Sequence, residues 1–263
     1  MADIKVALIN ASTVVSDAEV QEAMVALQTQ VHRDFGPTWG IDADLVFVPP
    51  GSDPPSGAWW LVVLDTSDQA GALGYHDLTS QGLPLGKVFA KSDIDNGYIW
   101  TVTASHELLE ILADPDINKA TLVEQSQQGG VGAGVLYAYE VCDACEADQY
   151  GYKIDDTTVS DFVLPAWFES FWPPGSTQFD YQNQIQRPFG LLPGGYIGVY
   201  AIYAGSGWQQ LTAQATDAAL HWARARVGSR RERRRTTRSQ WQPSTAHAAV
   251  GRSFSAGLLR RWP

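Results

Sequence analysis

Three short apolar runs constrain this chain most: "IKVALINAS" from residue 4, "ADLVFVPPG" from residue 43 and "AWWLVVLDTSD" from residue 58. Each is apolar on both faces, which a strand can afford only when both faces are covered, as in a sheet under helices. Between the first two lies "SDAE", a capping box with Ser16 as N-cap and Glu19 three residues on. Val20, Met24, Leu27 and Val31 follow at helical spacing. Gly36 and Pro37 are expected to stop that helix. Residues 70–99 are rich in glycine and short in apolar runs, as an exposed edge strand with long loops would be. A second helix, "WTVTASHELLEILAD", is closed by Pro115.

From Gly129 the pattern changes to short aromatic-rich strands and Pro/Gly turns. "LPGGYIGVY" reads as a turn entering a strand, and "TAQATDAALHWARARVG" as a short helix. The segment "SDFVLPAWF" reads as packing, through Phe162, Leu164, Trp167 and Phe168. The expected fold class is α+β: a mixed sheet with a Gly-rich edge strand and two main helices over 1–128, then a β-rich subdomain packed on it over 129–222. An Arg-rich tail with no sustained period, read as disordered, completes the chain over 223–263.

Charge divides the same way. From Arg224 onward there are eleven arginines and one acid, whereas residues 1–223 carry 7 Lys/Arg against 28 Asp/Glu, and the net charge is −11. An acidic body suits divalent cations and repels nucleic acid. The basic tail suits an acidic partner, nucleic acid or a virion surface. No apolar run reaches the roughly 20 residues that span a bilayer, and no signal peptide pattern opens the chain. A cytoplasmic or virion-associated protein is the expectation. Two cysteines, Cys142 and Cys145, cannot form a four-cysteine zinc site; buried thiols are the favoured reading.

The chemistry lies in "TASHELLEILADPD", residues 103–116. Residues four apart share a helix face, so His106, Glu110 and Asp114 form one stripe. Buried carboxylates are costly without a cation, and the body has few lysines or arginines to supply one. Zinc accepts both imidazole nitrogen and carboxylate oxygen. His106 and Glu110 have the i, i+4 spacing of two metal ligands, and Glu107 has the position of the general base that takes a proton from activated water.

This order of elements, with "SHELLEILADP" on the second helix, resembles the N-terminal subdomain of zincin-like metallopeptidases. The segments "SHELLE…DP", "EVCD" and "VSDFVLPAWF" also resemble a group of phage and bacterial proteins. The resemblance implies a metal-dependent peptidase acting on a peptide or protein, with the edge strand lying antiparallel to the bound peptide. The departure is Glu110, which stands where the zincin motif has histidine. Added negative charge weakens the ion as a Lewis acid and shifts preference from Zn towards Mn, Mg or Ca. The alternative expectation is therefore a catalytically inactive zincin-fold structural or binding protein, of the virion-associated kind, with a cation-stabilised acidic helix. The family pattern leaves the third ligand open. Asp116 is a weak match, and "YEVCDACE" offers Glu140, Asp143 and Glu146. Strand alternation sets Asp143 opposite Glu140 unless a turn intervenes. Glu140 is favoured, with Asp143 and Asp114 as additional ligands. His76, in "GYHD", is read as a solvated loop residue in preference to a ligand.

Overall fold

A computed structural model describes residues 4–69, 71–125, 133–202, 204, 207–214 and 217–224. The first sheet contains β1 (Ile4–Asn10), β2 (Ala43–Val48), β3 (Trp59–Leu64), β4 (Gly74–Leu78) and β5 (Pro84–Phe89) in the order β2-β1-β3-β5-β4. β1 runs parallel to β2 and β3, and β3 parallel to β5, whereas β4 is antiparallel to β5 and forms the edge. The Gly-rich segment thus supplies one edge strand and one interior strand. β5 is buried along its whole length.

Helix α1 (Asp17–Thr29) starts at Ser16 with the capping box intact: Glu19 N–H donates to Ser16 Oγ, and Ser16 N–H to Glu19 Oε2. Gly36 and Pro37 do not end it as expected. The helix widens into a π-helical segment over Gln30–Phe35 and adds one more turn, α2 (Gly36–Trp39). Pro37 falls in the first turn of α2, where its missing N–H costs little. Gly40, at φ 67°, ends the run. A short helix α3 (Ala90–Asp95) and the longer α4 (Trp100–Ala113) follow β5. Among the described residues, no helix is long and apolar enough to cross a membrane.

The second sheet is antiparallel: β6 (Ala120–Gln125), β7 (Ala133–Ala138), β10 (Tyr196–Ala201), β11 (Trp208–Gln214) and β12 (Asp217–Arg224), in the order β12-β11-β10-β7-β6. A hairpin of β8 (Tyr152–Ile154) and β9 (Thr157–Val159) lies against α4. β6 already belongs to the second sheet, so the change of sheet falls between α4 and Ala120. The helix expected near 212–228 is instead the β11–β12 hairpin as far as Arg224. Residues of the Arg-rich tail beyond Arg224 lie outside the described residues. One apolar cluster joins α1, α4, the inner face of β1, β3 and β5, and the second sheet through Ile197, Val199 and Leu211. Phe162, Trp167 and Phe168 are buried in it, as expected. A smaller cluster with Ile9, Trp60, Val62 and Leu85 covers the opposite face of the first sheet.

The irregular stretch after β9 is organised by two buried acids. Asp161 Oδ1 accepts from the N–H of Phe162 (2.8 Å) and Gln182 (3.1 Å), while Asp180 accepts from Gln184 (2.9 Å) and Ile185 (2.7 Å). Burial, together with the neighbouring Asp180 carboxylate, raises the Asp161 pKa to about 9. The folded chain thus keeps a proton that the unfolded chain loses in the ordinary carboxylate range. That contribution to stability is complete in acid and is lost as pH rises towards about 9. Asp161→Asn keeps the shape and removes the titration. Melting curves between about pH 5 and pH 9 should fall less steeply for Asp161→Asn than for the wild type; equal slopes would contradict the account.

Candidate metal centre

α4 is fixed in rotation by its neighbours. Ser105 Oγ donates to Gln30 Oε1 (2.6 Å), in the π-helical segment, and accepts from Ser160 N–H (3.0 Å). Gln30 in turn donates to Ser160 O at 2.8 Å. This buried network sits one residue before His106, and it ties α1, α4 and the segment after β9 together. Two glycines let α4 come close to the sheet. A Cβ on Gly74 would lie 2.6 Å from Thr103 Cγ2 and 2.8 Å from Glu107 Oε1, and one on Gly86 would lie 3.3 Å from Glu107 Cβ. Gly86 is the register partner of His76. Because alternate residues of a strand share a face, Gly74 and His76 both look towards α4.

The result is a buried cluster of two imidazoles and four carboxylates. His106 Nε2 lies 3.1 Å from Glu110 Oε1 and 3.2 Å from Asp143 Oδ1. His76 Nδ1 lies 3.1 Å from Glu110 Oε2 and 3.3 Å from Glu107 Oε2, and His76 Nε2 lies 3.5 Å from Glu140 Oε2. All six residues are buried, His106 being the most accessible at 7%. Donor atoms of His76, Glu107 and Glu110 fall within 4.8 Å of one another, as do those of His106, Asp143 and Glu146. These groups could hold a metal ion. Neighbouring donors around a tetrahedral ion with bonds of about 2.0–2.1 Å stand about 3.3 Å apart, which matches the spacings here. His106 Nε2 thus lies, buried, between one oxygen of Glu110 and one of Asp143. Burial alone would lower the His106 pKa, but the charge of Glu110, with Asp143 and Glu107, lifts it well above its ordinary value. The pocket draws in positive charge.

Asp143 reaches His106 because a turn does intervene. β7 ends at Ala138, and a 3₁₀ turn over Asp143–Cys145 swings Asp143 back towards α4. That turn is held by the expected "LPGG" turn: Leu192 N–H donates to Ala144 O (2.9 Å), and Gly195 has no room for a Cβ against the Ala144 backbone. Glu140, the favoured third ligand, stands beside His76 instead. Asp114, on the predicted stripe, accepts from the N–H of Asn118 (3.0 Å) and Lys119 (3.0 Å to Oδ2) where the helix ends, outside both groups. Asp116 is exposed. His76 is the residue that sequence reading misplaced: it is buried on β4. The signal was its i, i+2 relation to Gly74 in a short strand. Cys142 and Cys145 are free, buried thiols, and burial raises both their pKa values well above the ordinary range.

No known protein family, curated protein or solved structure matches this chain. The chemistry of the site therefore rests on its own geometry. Gly74→Ala should push α4 off β4 and cost about 1–3 kcal/mol. Urea denaturation measures this, and an unchanged midpoint would show that the close approach is not needed.

Proposed function

We propose that this chain is a metal-dependent peptidase of zincin type, in which His106, Glu110 and Asp143 hold a divalent ion and Glu107 serves as general base. The observation that carries the reading is the buried His106 Nε2, aimed between two carboxylate oxygens with Glu107 as the next residue on α4. Zinc is the first choice of metal, since imidazole and carboxylate both suit it; the three carboxylates near His106 also suit manganese.

A bound ion of this kind polarises a carbonyl and lowers the pKa of water. The chain's own residues supply the rest. Glu107 stands beside the ion-binding side of α4 with Oε2 near His76, which orients the carboxylate that takes the proton. A peptide would lie along β4, the last strand of the first sheet and a neighbour of α4. The antiparallel direction of β4 and its contact with α4 support this placement.

One observation favours a second reading. Glu107 is only 2% exposed, less than a base that meets substrate would need without movement. The centre would then be a stabilising cation site in a structural or binding protein. Glu107→Gln separates the two. On the peptidase reading, hydrolysis of a mixed peptide library falls at least about 100-fold while metal at His106 is kept. A wild type that binds metal and cleaves nothing in the library supports the structural reading instead.

A further inference from the structure

The cluster offers more donor groups than one four-coordinate ion takes up. Glu107, Glu110, Glu140 and Asp143 are all buried, and they surround His76 and His106. Counted as four ionised carboxylates and two neutral imidazoles, the cluster with one divalent ion keeps a net charge of about −2. On the same count two divalent ions leave about zero, or about −1 with the Glu146 carboxylate included.

The geometry divides in the same way. Glu110 turns one oxygen to each histidine: Oε1 is 3.1 Å from His106 Nε2, and Oε2 is 3.1 Å from His76 Nδ1. Each side has its own further carboxylate, Asp143 at 3.2 Å from His106 and Glu107 at 3.3 Å from His76. The two groups of donors that fall within one ion's reach contain different residues. Behind His76, Glu140 faces the ring nitrogen that does not face the group, at 3.5 Å. A carboxylate in that place is the usual partner of a metal-bound histidine, fixing its tautomer and ring orientation.

We infer that the centre takes two divalent ions bridged by the Glu110 carboxylate, one held by His106 and Asp143 with Glu146 in reach, the other by His76 and Glu107. The inference rests on the reading of α4 as a metal centre. It changes one role: Glu107 becomes a ligand of the second ion through Oε2, while its Oε1 faces Gly74. It also explains the Glu110 side chain directly. A histidine there, as in the zincin motif, presents one nitrogen to a metal and holds its other nitrogen away from it, whereas a carboxylate offers an oxygen to each of two ions. A glutamate that weakens a one-ion peptidase site thus suits a two-ion one. A paired centre of this kind clamps the attacking and leaving oxygens of a displacement, so its substrate class includes phosphate esters as well as amides.

The test is metal loading of the full chain. The wild type is dialysed against Zn²⁺ and, separately, Mn²⁺, and metal per chain is measured by mass spectrometry. The account expects about two ions per chain, falling to about one in His76→Gln. If that variant fails to fold, paramagnetic resonance of the Mn²⁺-loaded wild type decides: spin coupling between ions is expected. One ion per chain with the hyperfine pattern of isolated Mn²⁺ overturns the bridged pair and leaves the single-ion proposal standing. No bound metal overturns both.

Discussion

Buried carboxylate charge at the junction of α4 and β4 is the constraint on which this structure turns. A helix packed into the core normally presents apolar side chains, and α4 does so with Leu108, Leu109, Ile111 and Leu112. On its remaining side it carries His106, Glu107 and Glu110 into the same interior, and β4 and the turn at Asp143 bring further histidine and acid to meet them. Charges are removed from water at a cost that their mutual repulsion increases. Positive charge is the compensation, supplied by protons on imidazole or by metal ions. The fold has gathered acid where it could have gathered leucine.

The surroundings make sense as devices for holding that cluster. The Gln30–Ser105–Ser160 network fixes the rotation of α4, and Gln30 comes from the π-helical segment. Gly74 and Gly86 give the helix its close seat. The Leu192–Ala144 hydrogen bond and the side-chain-free Gly195 keep the Asp143 turn pressed in place. The second sheet therefore contributes to the centre as well as the first, which is consistent with the single apolar cluster that the two share.

Much of this was legible in the sequence, and what was not has physical reasons. Strands apolar on both faces, the Ser16–Glu19 capping box and the Glu110-bearing helix are local signals, and the structure contains all three. Strand alternation favoured Glu140 over Asp143 because it was applied past Ala138, where the strand stops and a turn begins. The burial of His76 depends on β4 lying under α4, a relation between residues 31 apart in sequence that no local period encodes. The β11–β12 hairpin contains good helix formers, but pairing with β10 outweighs their preference. Gly36 and Pro37 looked like a helix stop, yet one turn of α2 accommodates both.

The central claim is that the α4 cluster binds a cation. It is tested most directly by the melting temperature of the protein before and after a strong chelator. Binding that favours only the folded chain adds about 4 kcal/mol when the free metal is a thousand times its dissociation constant. Chelation should therefore lower the melting temperature by several degrees, and restored metal should recover it in the wild type but not in His106→Ala. A melting temperature indifferent to chelator and metal would contradict the account.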